Sequence, residues 1–369
     1  MKHTFAWLDI IRLFSVLLVI YAHFASVAGY ATDIPLIIPN DGSVFLPLMD
    51  GPSLKYLNFD NFLLRYFNVQ TGILGVTLFF LVTGFLMPQM LNRYSRIDFI
   101  LNRIFRIFPL LIVSTLIIGL TLYILFNTHF KFKNYLASWT LTYDIIRIKP
   151  ITGVLWTLCV ELIFYILVAV IGKFTIKKLI SLEVIILIYN LLFLYITKHF
   201  GEIYILNYIA RITLFLSIIL IGSAFNFYPE QGGGAGIAKT SLIVSFAIIS
   251  FFIVNNYNNK FNTMGTYSSF GTYVLAIFIF AYLYSFGPII IKNLPKIITI
   301  AADLVYPLYL LHAALGLSFM AYLRDNLQLP PLGMITGALF FVILISWFAH
   351  YIIEKPFIKF GKKFIQNMP

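Results

Sequence analysis

The chain has 369 residues, of which 60% are hydrophobic and only 11% are charged. A soluble globular protein carries about 25% charged residues. The composition therefore excludes an ordinary soluble enzyme, a secreted disulfide scaffold and a disordered protein, and it indicates a polytopic membrane protein. The net charge of +12 does not indicate a nucleic-acid partner, because most Lys and Arg lie in short connections between apolar stretches, where they hold loops on the cytoplasmic side.

Ten stretches are long and apolar enough to cross a bilayer as helices, which takes about 20 residues each. Gly and Pro interrupt several of them. We predict an all-α bundle of about ten transmembrane helices that forms a single domain over residues 1–369. The stretches lie at 7–28, 71–90, 104–126, 151–171, 178–198, 203–223, 238–255, 268–290, 299–322 and 332–353.

The distribution of basic residues predicts the orientation of the bundle. Lys and Arg are more numerous in the connections that share a side with the N-terminus than in the others, and basic connections stay in the cytoplasm. We therefore expect both termini in the cytoplasm and residues 354–369 as a short basic cytoplasmic tail. The long connections 29–70 and 127–150 then face outward.

The first predicted helix carries two polar residues on one face. Arg12 and His23 are eleven residues apart, which at 100° per residue brings them to nearly the same azimuth, roughly 16 Å apart along the axis. Ionisable groups inside a membrane are costly and are functional hypotheses by default. The alternative is structural: Arg12 extends to the headgroups and His23 satisfies a neighbouring carbonyl.

Two arginines lie one turn apart at the inner start of the third stretch. Arg103 and Arg106 precede Pro109, and guanidinium groups bind phosphate in planar, bidentate geometry. By themselves they are more typical of a positive-inside anchor on the cytoplasmic side than of a binding site. Arg12 is expected at a similar depth, so three arginines can converge on one anionic ligand.

Further polar residues lie within three other apolar stretches. Glu161 is in the middle of the fourth stretch, where a carboxylate must be neutral, paired or facing water. The alternative to a functional role is a purely structural ion pair with Arg211 of the sixth stretch. Tyr309 and His312 are neighbours at i and i+3 in the ninth stretch, and a hydrogen bond between them can be purely structural.

The cysteine and histidine content predicts no metal site. Cys159 is the single cysteine, so an intrachain disulfide is excluded. No Cys and His pair has metal-ligand spacing, and the six histidines are scattered.

Six short motifs occur in order between residues 5 and 357. They are Arg12 through His23, Gly75 through Phe85, Arg103 through Pro109, Trp156 through Glu161, Tyr306 through His312 and Glu354 through Pro356. Taken together, these segments resemble the motifs of the type 3 membrane acyltransferase family, whose members place acyl groups, often acetyl, on cell-envelope and exported glycans. Thr83 and Val305 stand where serine is usual in that family.

The resemblance implies a ten-helix fold in a bacterial inner membrane and an O-acyltransferase activity. The donor would be cytoplasmic acyl-CoA, most simply acetyl-CoA, used as a co-substrate with no bound cofactor. The acceptor would be a hydroxyl of a glycan or lipid-linked saccharide, such as lipopolysaccharide O-antigen or exopolysaccharide. Many members carry a fused extracytoplasmic hydrolase-like domain; we expect a stand-alone form, with a separate extracytoplasmic partner protein if that domain is required.

The resemblance also implies roles for particular residues. Arg12, Arg103 and Arg106 would bind the phosphates of the donor, which agrees with their expected inner position. His23 would be the general base, since a pKa of about 6.5 lets imidazole accept a hydroxyl proton near neutral pH. Glu161 would orient the site or the acceptor.

Four residues are expected to support the reacting groups without contacting the substrate. They are Trp156, Tyr309, His312 and Thr83.

Two chemical routes stay open. In the first, His23 deprotonates a sugar hydroxyl that attacks the thioester directly. In the second, Cys159 or Thr83 carries the acyl group transiently. We favour direct transfer.

A transporter or flippase for a glycan or acylated lipid is the alternative function. Charges in broken membrane helices also mark transport pathways, although such proteins often contain repeats and none is visible here. The two functions differ in whether acyl-CoA is consumed.

Overall fold

The computed structural model describes residues 6–27, 59–91, 93–201, 203–227, 270–291 and 295–368. Within these ranges the regular structure is helical and no β-strand occurs. In chain order the helices are α1 (Ala6–Tyr21), α2 (Phe59–Phe67), α3 (Thr71–Met90), α4 (Arg96–Phe126), α5 (Phe132–Trp139), α6 (Leu155–Ile171), α7 (Ile176–Phe200), α8 (Tyr204–Ala224), α9 (Phe270–Ile290), α10 (Lys296–Asp303), α11 (Val305–Leu311), α12 (Leu317–Leu327), α13 (Pro331–Ala349) and α14 (Lys355–Gln366).

Three wider, π-helical turns continue these helices without a break in the chain. They follow α1 at Ala22–Val27, α11 at His312–Gly316 and α13 at His350–Glu354. Such turns are rare in proteins, and those that do occur are often found at functional sites.

Eight segments of the described residues are long and apolar enough to cross a membrane. The helix α6, with 17 residues, is shorter but also apolar. These segments confirm the prediction of an all-α polytopic membrane protein. The predicted span at 238–255 and most of the connection 29–70 lie outside the described residues. The eight segments are Ala6–Ala25, Thr71–Met90, Arg96–Phe126, Ile176–Phe200, Tyr204–Ala224, Phe270–Ile290, Val305–Leu327 and Pro331–Gln366.

Two helix boundaries differ from the apolar pattern for local reasons. The helix α4 begins eight residues before the predicted stretch, because its first turns are polar and do not appear in an apolar pattern. The Ser95 hydroxyl caps these turns by accepting a hydrogen bond from the Asp98 N–H at 3.1 Å. The predicted stretch at 299–322 is divided, with α10 ending at Asp303. Pro307 has no N–H to donate to the carbonyl of Asp303, and this missing hydrogen bond favours a break in the helix at this point.

The length of α4 bears on the position of its arginines. At 31 residues it is about 46 Å long, whereas the hydrocarbon core of a bilayer is about 30 Å thick. Even with the usual tilt of about 20°, part of the helix extends beyond the core.

The chain forms two compact units. In the first unit Trp7 packs against Phe85 and Phe280, with ring centroids 5.7 and 5.6 Å apart. Gly84 lies against the backbone of Ile219, and a Cβ there would collide with the carbonyl oxygen of Ile219. The first unit consists of Met1–Ile11, Val76–Ile100 and Val160–Lys292.

The second unit is also held by close contacts at glycines. A Cβ on Gly75 would collide with the carbonyl oxygen of Ser15, and a Cβ on Gly316 would collide with the ring of Phe24. The second unit consists of Arg12–Gly75, Leu101–Cys159 and Asn293–Pro369.

Candidate active site

The histidine of the first helix is held at the end of α1, in a π-helical turn. His23 Nδ1 lies 2.9 Å from the carbonyl oxygen of Val19, one turn earlier. The side chain is partly exposed, whereas Phe24 beside it is buried. The backbone contact fixes the orientation of the ring.

The second histidine contacts the first. His312 is fully buried, and its Nδ1 lies 2.9 Å from the Tyr309 carbonyl oxygen and 3.1 Å from the Leu308 carbonyl oxygen. Its Nε2 lies 3.2 Å from His23 Nδ1. The two rings meet edge to face, with centroids 4.9 Å apart and planes inclined at 69°.

Successive turns of α11 and of the π-helical turn after it present three polar side chains, and each of them reaches another helix. The hydroxyl of Tyr306 donates to the carbonyl oxygen of Ile107 in α4 at 2.8 Å. The hydroxyl of Tyr309 lies 2.8 Å from the hydroxyl of Thr157 in α6. His312 follows one turn later. The segment therefore ties the helix of the paired arginines and the beginning of α6 to the helix of His23.

The three arginines belong to the same unit as His23. Arg103 is only 7% exposed, and its Nη2 donates to Asn102 Oδ1 at 2.6 Å. Arg12 and Arg106 are half-buried. A buried guanidinium that keeps its charge needs anionic or polar partners, and a phosphate ester is a partner of this kind.

Glu161 and Thr83 form a separate pair in the first unit. Thr83 Oγ1 donates to Glu161 Oε1 at 2.9 Å, and the hydroxyl of Tyr165 donates to Glu161 Oε2 at 3.3 Å. The guanidinium of Arg211, which the sequence suggested as a partner of Glu161, lies 5.6 Å from the centre of the Tyr208 ring. The pair gives Thr83 a carboxylate within hydrogen-bonding distance.

The cysteine is poorly placed as an acyl carrier. The Cys159 Sγ is buried and donates to the carbonyl oxygen of Leu141 at 3.3 Å. A reactive cysteine requires a thiolate in an electropositive, accessible environment. Trp156, at the start of α6, is half-buried.

Sequence reasoning named Glu354 only as part of a motif and missed its contact with His350, and it missed the buried Glu183 altogether. Glu354 Oε2 lies 2.8 Å from His350 Nδ1, and both side chains are nearly inaccessible. Glu183 is fully buried and its Oε2 accepts from Ser217 at 2.9 Å. The signals were an i, i+4 spacing of His and Glu and a lone carboxylate within an apolar stretch.

Among the described residues, no three His, Cys, Asp or Glu side chains are grouped as metal ligands.

Comparison with known proteins identifies the family. The model of the acyltransferase-3 family, described as an acyltransferase domain, matches residues 5–351, which is nearly the whole chain. No curated protein and no solved structure matches the chain significantly. The order of the motifs, the apolar helices and this match lead to one conclusion: the chain belongs to the acyltransferase-3 family of membrane acyltransferases.

Proposed function

We propose that this membrane acyltransferase moves an acyl group, most simply acetyl, from cytoplasmic acyl-CoA to a hydroxyl of a cell-envelope or exported glycan. The observation that carries the proposal is the partly exposed imidazole of His23, held by a second imidazole in the same unit as three arginines. Imidazole is the side chain best suited to proton transfer near neutral pH.

The arginines fit the donor. Coenzyme A carries a diphosphate and a phosphate monoester, and guanidinium groups bind such oxygens through paired N–H donors. Arg103 and Arg106 are one turn apart near the beginning of a helix that is longer than the bilayer core is thick, which supports a position for them near the membrane surface. We assign Arg12, Arg103 and Arg106 to the donor phosphates.

The chemistry requires one proton acceptor. The acceptor hydroxyl gives its proton to His23 as its oxygen forms a bond to the thioester carbonyl carbon. The carbon–sulfur bond then breaks, and the thiolate of coenzyme A takes the proton from His23. The products are an ester and free coenzyme A, and His23 returns to its starting state.

Glu161 is assigned to the acceptor side of the reaction. Its carboxylate accepts hydrogen bonds from Thr83 and Tyr165, and a carboxylate is also a suitable acceptor for the hydroxyl of a sugar. We place the protein in the bacterial inner membrane. The acceptor reaches it on the extracytoplasmic face, either directly or with the help of a separate partner protein.

The first experiment compares the parent protein with His23→Gln in membranes that contain the host glycan pool. The readouts are thiol release from acetyl-CoA and glycan-bound acetyl. His23→Gln should lower both by about 100-fold or more, the usual contribution of a general base. His199→Gln, an exposed histidine near the end of α7, is the matched control and should retain parental activity.

Two outcomes of this experiment would contradict the proposal. Unchanged thiol release from His23→Gln would remove His23 from the chemistry. A parent that consumes no acyl-CoA, with a competent acceptor present, would favour a transporter instead. A separate labelling experiment tests direct transfer: radiolabelled acetyl that stays covalently on the protein before acceptor is added would contradict it.

A further inference from the structure

The contacts of the two histidines with backbone carbonyls determine which ring nitrogens carry hydrogen. His23 Nδ1 faces the carbonyl oxygen of Val19 at 2.9 Å. His312 Nδ1 faces the carbonyl oxygens of Tyr309 and Leu308 at 2.9 and 3.1 Å. A carbonyl oxygen accepts hydrogen bonds and cannot donate them. Each Nδ1 must therefore be an N–H donor.

The contact between the rings then has one consistent arrangement. In a neutral ring with hydrogen on Nδ1, the Nε2 carries a lone pair. His312 Nε2 therefore accepts, and the His23 Nδ1–H is shared between the carbonyl oxygen of Val19 and His312 Nε2 at 3.2 Å. In the opposite arrangement His312 Nε2 would donate to His23 Nδ1, and both Nδ1 atoms would carry lone pairs. The lone pair of His312 Nδ1 would then face two carbonyl oxygens, and that of His23 Nδ1 would face a third.

We infer that His312 is a positioning residue that holds His23 as its Nδ1–H tautomer and so leaves the Nε2 lone pair of His23 free to accept the proton of the substrate hydroxyl. The inference rests on the proposed function for the identity of the hydroxyl. Free neutral histidine favours hydrogen on Nε2, which would block this lone pair, so the tautomer must be imposed by the protein.

The role of His312 is to accept a hydrogen bond rather than a proton. When His23 Nε2 takes the hydroxyl proton, His23 becomes an imidazolium whose Nδ1–H remains donated to His312. Transfer of that proton to His312 would place the charge on a fully buried ring, away from water, at a considerable cost in free energy. His23 therefore keeps the proton until the coenzyme A thiolate takes it from Nε2.

The position of His312 is itself fixed by the preceding turns. The hydroxyls of Tyr309 and Thr157 are in contact at 2.8 Å, and the Tyr309 hydroxyl also lies 3.3 Å from the carbonyl oxygen of Val154. These contacts hold α11 to the beginning of α6, so that His312 Nε2 reaches His23 without any contact of its own with substrate.

The kinetic test compares His312→Gln with His312→Leu. Glutamine can present an amide oxygen near the position of Nε2 and accept from His23, but it cannot take a proton. Leucine fills the space without an acceptor. We expect His312→Leu to lower kcat about 10- to 100-fold with little change in the KM for acyl-CoA, and His312→Gln to stay within about threefold of the parent.

The control is again His199→Gln, which alters a histidine remote from this contact. Parental kcat in His312→Leu, or loss of activity in His312→Gln equal to that in His312→Leu, would overturn the inference.

The tautomer is tested independently of turnover by nitrogen-15 NMR of histidine-labelled protein in micelles, with the His23 signals assigned by their loss in His23→Gln. We expect a protonated Nδ1 and an unprotonated Nε2 on His23 in the parent, and a shift toward protonated Nε2 in His312→Leu. A parental His23 with hydrogen on Nε2 would overturn the inference. An inactive parent that shows the expected tautomer would overturn the proposed function and leave the positioning of His23 intact.

Discussion

At the scale of single residues, the pair of Thr83 and Glu161 distinguishes two chemical routes. The hydroxyl of Thr83 donates to Glu161 Oε1 at 2.9 Å and is nearly inaccessible. If Thr83 carried the acyl group, a carboxylate in this position would be its base. If transfer is direct, the hydroxyl only holds the carboxylate in place.

We expect Thr83→Val to retain most of the acyltransferase activity. The variant loses a hydrogen bond to a carboxylate, which costs about 1–3 kcal/mol of stability, so its thermal unfolding in detergent should occur at a lower temperature. Thr83→Ser keeps the hydroxyl and is the matched control for both activity and stability. Complete loss of thiol release in Thr83→Val, with Thr83→Ser active, would identify Thr83 as an acyl carrier and contradict direct transfer.

The sequence could predict contacts within a helix but not the contacts that assemble the site. Tyr309 and His312 are neighbours because their spacing is one helical turn, and their ring centroids are 5.8 Å apart. The contact of His312 with His23 joins residues 289 positions apart and depends on how two helices pack. Thr83 and Glu161, 78 positions apart, were likewise beyond reach of any local pattern.

At the scale of helices, α3 and α8 approach so closely that only glycine fits at their contact. A Cβ on Gly84 would collide with the carbonyl oxygen of Ile219, and a Cβ on Gly222 would collide with the carbonyl oxygen of Leu81. Small residues at helix interfaces allow such backbone contact within membranes. Ser223 adds a hydrogen bond by donating to the carbonyl oxygen of Gly84 at 2.9 Å.

We expect Gly84→Ala to destabilise the protein by about 1–3 kcal/mol, because backbone atoms must move to admit the methyl group. Gly333→Ala is the matched control, since a Cβ there meets only side-chain atoms of Leu329 and Pro330 at 3.5 Å. The measurement is thermal unfolding of both variants in the same detergent. Equal unfolding temperatures for the two variants would contradict the close approach of α3 and α8.

Helix identity was predictable because apolar stretches of about 20 residues have few alternatives in a membrane. Helix ends were less predictable, since they depend on local groups rather than on hydropathy. Ser95 starts α4 early by capping polar turns. At the other end of the chain, α13 continues through a π-helical turn into the basic helix α14. Hydropathy alone predicts the end of the span but not that the helix continues beyond it.

At the scale of the whole molecule, the orientation in the membrane is a prediction from charge alone. Lys149 lies in the connection expected outside, and Lys177 lies at the start of α7, expected inside. Both side chains are exposed, so each position can carry a reporter without disturbing packed residues.

We expect a membrane-impermeant maleimide to label Lys149→Cys in intact cells and to label Lys177→Cys only after the membrane is opened. The parent protein is the control, because its single thiol is buried. The reverse pattern would show that the termini lie outside and would place the arginines away from cytoplasmic acyl-CoA.

The burial of Cys159 also bears on how the protein tolerates its own product. The proposed reaction releases a small thiol at each turnover, and its oxidised form can exchange with protein cysteines to give mixed disulfides. Such exchange needs an accessible thiolate, whereas the single cysteine thiol of this chain is buried and donates to the carbonyl oxygen of Leu141. Coenzyme A that becomes oxidised therefore finds no site of attachment on the protein.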